Sequence, residues 1–193
     1  MNEIKKKLQL FLEDYGKVFC VGITIIFILI TGIALLENGK VKKLEVSFLD
    51  VGQGDAILLT TPSGKQMLVD GGATNAILEQ VAKHSSYFDH TLDVMVATHP
   101  DSDHVTGLIP ILKKYTVATI VTSNVDGSTE IFSDLKQKIN EEGSTVYVAQ
   151  KGDVIDFGDG VTVAVLYPKN IIAKDTNDGS VSVVVTYGEH SFL

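Results

Sequence analysis

An uncharged apolar run of 19 residues, Val18 to Leu36 (VFCVGITIIFILITGIALL), constrains this chain more than any other feature. As a helix rising about 1.5 Å per residue, it would span nearly the roughly 30 Å of a bilayer's hydrocarbon core. The run lacks the alternating polar positions of a helix packed on a soluble core. We therefore predict a transmembrane anchor. A cleavable signal peptide is the alternative, although the 17 residues before the run are long for a signal peptide's charged region.

Lysines on both sides of the apolar run indicate an orientation. Four precede it and three follow it: Lys5, Lys6, Lys7 and Lys17, then Lys40, Lys42 and Lys43. The small N-terminal excess favours a cytoplasmic N-terminus and an extracellular domain. We predict a single-pass protein of the cell membrane with a cytoplasmic region (1–17), an anchor or uncleaved signal (18–36), a linker (37–43) and a folded domain (44–193).

The charge and cysteine content of the chain restrict its chemistry. From Glu37 onward, 12 lysines face 21 acidic residues, for a net charge of −9, and the chain has no arginine. This balance argues against a broad basic platform for nucleic acid, so any phosphate chemistry must rest on other groups. The single cysteine, Cys20, excludes an intrachain disulfide and a thiolate zinc cluster.

The folded domain shows short apolar runs separated by Gly, Asp and Asn. Strands are predicted at 44–50, 56–61, 66–70, 93–98, 119–122, 145–149, 154–157, 161–167, 181–187 and 190–193, and helices at 73–84, 105–115 and 130–142. The segment 93–98 is apolar almost throughout, which is typical of a strand buried on both faces. Because strands and helices alternate first and hairpins follow, the pattern predicts a layered α/β fold.

Two imidazoles and two carboxylates follow that buried strand within the segment THPDSDH (98–104). This mixture of nitrogen and oxygen ligands suits zinc, manganese or iron better than calcium. His99 and Asp101 are two residues apart and can point the same way, whereas Asp103 and His104 are adjacent and diverge. The spacing would allow two ions roughly 3.5–4 Å apart that activate a water between them. The alternative is a solvated loop in which Asp103 and His104 cap the next helix.

Two earlier segments have a strand followed by glycines, LDVGQGD (49–55) and LVDGG (68–72). Each alone has an ordinary explanation, because glycine suits tight turns and aspartate caps helices. Neither segment is a phosphate-binding loop, since no Gly-Lys-Ser/Thr follows.

Taken together, these segments resemble the metallo-β-lactamase superfamily, and specifically its ComEC-type (competence protein) branch. The matching pieces, in order, are FLDVGQGDAILL (48–59), LVDGG (68–72), THPDSDHVTGL (98–108) and NDGSVSVVVTYGEHSFL (177–193). The resemblance covers essentially all of residues 44–193. Asp101 stands where the wider superfamily has the second histidine of its HxHxDH motif, as is common in this branch.

The resemblance implies an αββα sandwich with a metal site along one edge of the sheets. It implies two divalent ions, zinc or alternatively manganese, as cofactors. His99 and Asp101 would bind the first ion, and Asp103 and His104 the second. Asp103 would also be the catalytic residue that orients the attacking water and accepts its proton. Asp70 would orient a metal-binding histidine.

The resemblance leaves the roles of four residues open. Asp50, Gln53 and Asp55 match the branch's own motif near the site. Asp178 lies where the superfamily's third histidine motif is expected, so it could supply an oxygen ligand or could belong to a turn without a binding role.

One departure from the family concerns its second half. The family pattern continues beyond a strand like HSFL with a threonine-glycine-aspartate stretch, whose aspartate bridges the metals, and later with another histidine ligand. The sequence stops at Leu193. We therefore expect an incomplete second half of the sandwich and interpret the sequence as a C-terminally truncated piece of a longer reading frame.

The function implied is a metal-dependent hydrolase of phosphodiesters, similar to a nuclease. DNA is one candidate substrate, because the family's domain in the competence channel is thought to degrade DNA during uptake. A phosphodiester in a cell-wall or small-molecule substrate is the alternative within this class. The membrane, through the N-terminal helix, is the other expected partner. The alternatives are a membrane-anchored binding module without catalysis and a nonfunctional fragment. Metal stoichiometry would separate these hypotheses.

Overall fold

The computed structural model describes residues 2–38, 43–85, 88–169 and 177–193. Residues 39–42 of the predicted linker lie outside this description. The chain divides into two compact units, Met1–Val41 and Lys42–Leu193.

The first unit contains one long helix, α1 (Asn2–Asn38). Within it, Tyr15–Gly32 has a mean hydropathy of 1.9 and none of this stretch is buried. Thr24 and Thr31 each donate a 2.8 Å hydrogen bond to a carbonyl one turn earlier, which suits an apolar environment because the hydroxyls are satisfied within the helix. The predicted apolar N-terminal helix is confirmed. It is long enough to cross a membrane, although signal sequences share these properties.

The second unit contains short strands and helices. In chain order they are β1 (Glu45–Phe48), β2 (Ile57–Thr60), β3 (Gln66–Val69), α2 (Ala76–His84), β4 (Thr91–Ala97), α3 (Ser102–Val105), α4 (Leu108–Lys114), β5 (Thr116–Thr122), α5 (Glu130–Glu142), β6 (Thr145–Val148), β7 (Val154–Asp156), β8 (Val161–Tyr167), a 3₁₀ turn at Asn177–Gly179, β9 (Ser182–Tyr187) and β10 (His190–Phe192).

These strands form two sheets. The first has six strands in sequential order, β1 to β6, in which β1, β2 and β3 pair antiparallel and β3, β4, β5 and β6 pair parallel. The second has the order β10-β9-β8-β7, and all its pairs are antiparallel. The helices connect the parallel strands, as crossover connections require.

Strand β4 shows how the layers pack. Met95 and Ala97 belong to the core between the first sheet and helices α2, α4 and α5, whereas Val94 and Val96 belong to the core between the two sheets. Alternate residues of a strand face opposite sides, so this strand is buried on both faces, as its apolar sequence predicts. A helical layer and two sheets therefore stack among the described residues, which confirms the predicted α/β sandwich.

A polar contact joins the two sheets at the turn between β2 and β3. The Asp159 carboxylate accepts hydrogen bonds from the Ser63 backbone amide at 2.9 Å and from the Ser63 hydroxyl at 2.7 Å. Burial alone would raise the pKa of Asp159, but hydrogen bonds from Thr61, Ser63 and the Val161 amide hold it well below its usual range. Nearby, the Lys65 ammonium donates to the Phe157 carbonyl oxygen at 2.9 Å.

The helix predicted at 105–115 is divided into two pieces. Helix α3 ends at Val105 and α4 begins at Leu108. The interruption falls at Gly107, where an added Cβ would lie 1.9 Å from the Gly71 carbonyl oxygen. The Gly107 amide donates to the Gly72 carbonyl oxygen at 3.0 Å, outside the helix, so a contact between distant parts of the chain accompanies the interruption.

Candidate metal centre

The candidate site begins where the parallel strands β3 and β4 end side by side. The last paired residues are Val69 and Val96, and the Asp70 amide donates to the Val96 carbonyl oxygen at 2.9 Å. Side chains that follow the carboxyl ends of adjacent parallel strands meet at one edge of the sheet. This places Asp70 beside Thr98 and His99.

Asp70 turns sharply at this point, with φ of 56°. Aspartate is one of the few residues besides glycine that tolerate this left-handed conformation. The turn directs a buried carboxylate, 3% exposed, toward β4. Its Oδ1 accepts from the Thr98 amide at 2.9 Å, and its Oδ2 accepts from the Thr98 hydroxyl at 2.6 Å and lies 2.8 Å from His104 Nδ1.

The two predicted histidine ligands lie together beside this carboxylate. The ring centroids of His99 and His104 are 4.0 Å apart, and the side chains are 7% and 17% exposed. Asp70, His99 and His104 each offer one ligand atom, and these atoms lie within 4.8 Å of one another. Because Asp70 already has three hydrogen-bond partners, we regard it as a support for the histidines rather than as a ligand.

The two predicted carboxylate ligands lie on the same segment. Asp101 Oδ2 is 3.6 Å from His99 Nε2, and the Asp101 side chain is 39% exposed. Asp103 Oδ2 is 3.5 Å from Gln53 Nε2, at the outer limit of a hydrogen bond. The structure thus brings His99 into contact with Asp101, and it brings Gln53 into contact with Asp103. The assignment of ligands to each ion stays a prediction.

The glycine-rich turn after β1 is packed directly against this segment. A Cβ at Gly54 would lie 1.7 Å from the Asp103 carbonyl oxygen, so only glycine fits there. The Asp55 carbonyl oxygen accepts from the Gly72 amide at 3.1 Å, which ties the turn to the loop after β3.

Asp50 lies in the turn after β1, and Asp178 lies in the 3₁₀ turn before β9. Asp50 Oδ1 accepts from the Gly52 amide at 3.3 Å, a contact within its own turn. Asp178 is exposed in the 3₁₀ turn before β9. Soon after it, the Val181 amide donates to the Thr98 carbonyl oxygen at 2.9 Å, which fastens this part of the second sheet to the end of β4.

The surroundings shift the pKa values of His99 and His104 in opposite directions. Burial lowers the pKa of His99, and the charge on His104 acts in the same direction. The hydrogen bond with Asp70 raises the pKa of His104. Neutral imidazole and carboxylate are the protonation states in which these side chains bind metal ions.

The donor set fits a divalent transition metal. Nδ1 of His104 is in hydrogen-bond contact with Asp70, and Nδ1 of His99 is in hydrogen-bond contact with Thr98. The Nε2 atoms are therefore the nitrogens that can bind an ion. Asp101 and Asp103 can add carboxylate oxygens as ligands. Imidazole with carboxylate is a ligand set of zinc and manganese centres. The hydrogen bond of a buried carboxylate to the second ring nitrogen is also usual for metal-binding histidines.

Thr98 is the residue of this site that sequence reasoning missed. Its hydroxyl lies 2.6 Å from Asp70 Oδ2 and 2.8 Å from His99 Nδ1. A hydroxyl placed directly before the first histidine, at the end of a buried strand, was the available signal. Its partner is 28 residues away in the chain, so only the sheet pairing identifies it.

Comparisons with known proteins agree with this geometry. The family model of the metallo-β-lactamase superfamily matches residues 49–193. ComE operon protein 3 of Bacillus subtilis is 24% identical over 187 residues, which is 88% of this chain and 23% of that protein. Recombination protein 2 of Haemophilus influenzae is 25% identical over 173 residues, or 87% of this chain and 20% of that protein. The chain thus spans about a fifth to a quarter of the length of these relatives.

Solved structures show the same fold. The subclass B3 metallo-β-lactamase MEM-A1, from a soil metagenome library, has a TM-score of 0.53 and 16% identity over 78% of this chain and 59% of its own. A Cronobacter sakazakii metallo-β-lactamase with a HARLDQ motif has a TM-score of 0.52 and 17% identity over 74% and 52%. The resemblance drawn from the sequence motifs is confirmed by the family model and the two relatives. The chain belongs to the metallo-β-lactamase superfamily.

Proposed function

We propose that residues 44–193 form a metal-dependent hydrolase domain that cleaves phosphodiesters. One observation carries the proposal: His99 and His104 lie side by side, each with Nδ1 at a hydrogen-bond partner, next to the carboxylates of Asp101 and Asp103. A loop that served only as a turn would not require two imidazoles that each keep one nitrogen available for a metal ion. Membership of the superfamily supports hydrolysis as the reaction class.

The ligand assignment follows the sequence motif. His99 and Asp101 hold one divalent ion, and Asp103 and His104 hold a second, with zinc as the first candidate and manganese as the alternative. When bound, such ions make a water nucleophilic at neutral pH and stabilise negative charge on a phosphoryl group. Asp70 holds His104 through Nδ1 and gives that ring its orientation.

Asp103 is the residue that accepts the proton of the attacking water. Its carboxylate faces the Gln53 amide at 3.5 Å, and its backbone is held against Gly54. A general base must stay within reach of its proton, and these two contacts lie at the carboxylate end and at the backbone end of the residue. Gln53 therefore positions Asp103 in this mechanism.

The substrate class rests on charge and on the relatives. A net charge of −8 and the lack of arginine give the chain no basic platform, so metal ions must provide the attraction for phosphate. DNA is the first candidate substrate for two reasons. One relative, Recombination protein 2, is named for a process of DNA, and the other, ComE operon protein 3, agrees with the resemblance to the competence branch. Residues 18–36 anchor the domain to the cell membrane, residues 1–17 face the cytoplasm, and the linker 37–43 leads to the extracellular domain.

Metal content tests this proposal first. The full chain is purified in detergent, and its zinc and manganese are counted by elemental mass spectrometry. The double variant His99→Ala/His104→Ala is compared with His84→Ala/His190→Ala, which removes the same number of histidines outside the site. We expect one or two equivalents of metal in the wild type and the control, and loss in the site variant. A folded wild type without metal would contradict the proposal and favour a binding module.

Hydrolysis of bis-p-nitrophenyl phosphate then tests the reaction. We expect turnover by the metal-loaded wild type and the control variant, and a loss of at least about 100-fold in Asp103→Asn, since a general base typically contributes 10²–10⁴-fold. Equal rates in the wild type and Asp103→Asn would contradict the role of Asp103.

A further inference from the structure

We propose that Thr98 is a positioning residue whose hydroxyl, oriented by Asp70, holds the His99 ring in the tautomer with its proton on Nδ1. This inference rests on the proposed metal site, because that tautomer leaves Nε2 as the nitrogen that can bind an ion. The buried carboxylate of Asp70 would thereby determine the tautomer of both histidines. It would act on His104 through a direct hydrogen bond and on His99 through the Thr98 hydroxyl.

The hydrogen positions follow from the number of donors. The Thr98 hydroxyl has one hydrogen and lies 2.6 Å from Asp70 Oδ2 and 2.8 Å from His99 Nδ1. An ionised carboxylate only accepts hydrogen bonds, so the hydroxyl hydrogen goes to Asp70. The hydroxyl oxygen can then only accept from His99, which requires the ring proton on Nδ1.

The backbone holds Thr98 in place for this role. Its amide donates to Asp70 Oδ1 at 2.9 Å, where the next hydrogen bond between β3 and β4 would otherwise stand. Its carbonyl oxygen accepts from the Val181 amide of the second sheet at 2.9 Å. Both peptide groups and the side chain are therefore fixed, and the hydroxyl has little freedom to turn away from His99.

Burial makes the arrangement consequential. His99 is 7% exposed, so water provides little competition for Nδ1 and the tautomer depends on the protein partner. Without the hydroxyl, the neutral ring would revert toward the tautomer that imidazole prefers in water, with the proton on Nε2. Loss of such outer hydrogen-bond partners typically weakens metal binding 10–100-fold.

The first test reads the tautomer in the metal-free full chain. Histidine is labelled with ¹⁵N, metal is removed with a chelator, and long-range ¹H–¹⁵N correlations are recorded in detergent at about pH 8.5, where neutral histidine dominates. We expect Nδ1-protonated His99 in the wild type, a shift toward Nε2 protonation in Thr98→Val, and restoration in Thr98→Ser. An Nε2-protonated His99 in the wild type, or no change in Thr98→Val, would overturn the inference.

The second test measures zinc affinity by competition with a chelator. We expect Thr98→Val to bind zinc about 10–100-fold more weakly than the wild type, and Thr98→Ser to bind within a fewfold of it. Thr122→Val makes the same change at the end of the neighbouring strand β5 and should leave both readouts unchanged. Wild-type affinity in Thr98→Val would overturn the inference. If the wild type binds no zinc, the proposed function fails, and the tautomer measurement still decides the role of Thr98.

Discussion

Replacement of Asp70 separates its contribution to folding from its contribution to metal binding. Alanine would leave three buried donors without their acceptor: the Thr98 amide, the Thr98 hydroxyl and His104 Nδ1. Asparagine keeps the size of the side chain, and its oxygen can still accept from the Thr98 amide. We therefore expect the two substitutions to affect stability and metal affinity in different proportions.

The magnitudes follow from the contacts. A buried donor without a partner costs about 1–3 kcal/mol. In the alanine variant the hydrogen of the Thr98 hydroxyl can turn about the C–O bond to another acceptor while the oxygen stays in place, but the Thr98 amide and the His104 ring cannot turn in this way. Alanine at the left-handed φ of 56° adds about 1 kcal/mol. Asp70→Ala should therefore lower the free energy of unfolding by about 3–7 kcal/mol.

Asp70→Asn should lower the free energy of unfolding by only about 1–2 kcal/mol, because the Thr98 amide keeps its acceptor and the two groups at the former Oδ2, the Thr98 hydroxyl and His104 Nδ1, can accept from the new amide nitrogen. Its amide group would face His104 Nδ1, so the ring proton moves to Nε2 and the ring no longer presents that nitrogen to an ion. We expect zinc affinity to fall about 10–100-fold. Asp93→Asn is the control, because it makes the same chemical change in strand β4 but outside the site. Asp93 accepts a hydrogen bond from the Gln66 amide at 2.8 Å.

The assay combines two measurements on the full chain in detergent. Urea unfolding of the metal-free protein is followed by near-ultraviolet circular dichroism of the tyrosines, and zinc affinity is measured by chelator competition. The reasoning is refuted if Asp70→Asn keeps wild-type zinc affinity, or if Asp70→Ala is no less stable than Asp70→Asn.

Two further predictions concern the fold. Gly107→Ala should cost about 3 kcal/mol or more of unfolding free energy, because its Cβ would lie 1.9 Å from the Gly71 oxygen, whereas Gly16→Ala, with no neighbour within 4 Å, should leave the stability of the second unit unchanged. Urea unfolding of the two variants checks this, and equal stabilities would contradict it. Asp159→Asn should flatten the acid dependence of stability: the folded pKa of Asp159 lies below its unfolded value, so its contribution is complete above about pH 4 and is lost as the pH falls further. Thermal unfolding between about pH 6 and about pH 2 measures this, and parallel curves for wild type and variant would count against the contact with Ser63.

Local signals made several elements predictable. Helix α5 has the predicted bounds, Glu130–Glu142, because Thr129 caps its N-terminus by accepting from the Phe132 amide and Gly143 ends it with a left-handed φ of 75°. Strand β8 also has its predicted bounds, 161–167, because its sequence is continuously β-branched or apolar.

Features that depend on distant contacts could not be predicted in this way. The division of the helix predicted at 105–115 occurs where the backbone of Gly107 packs closely against that of Gly71, which lies 36 residues away in the chain. The role of Thr98 depends on Asp70 across two paired strands. The motif 98–104 places the histidines in one segment, but Gln53, the neighbour of Asp103, comes from another loop, 50 residues earlier in the chain.

The hydrogen bond that the Thr98 amide donates to the Asp70 carboxylate continues the pairing of β3 and β4 beyond its last backbone bond. An amide held in this way exchanges its hydrogen with solvent only when the strand end opens. Exchange at Thr98 should therefore be as slow as at the buried centre of β4, and the histidine segment should lack the fast local opening of an ordinary surface loop. Any ligand of this segment would then slow exchange throughout the parallel strands, and not only in the loop that contacts it.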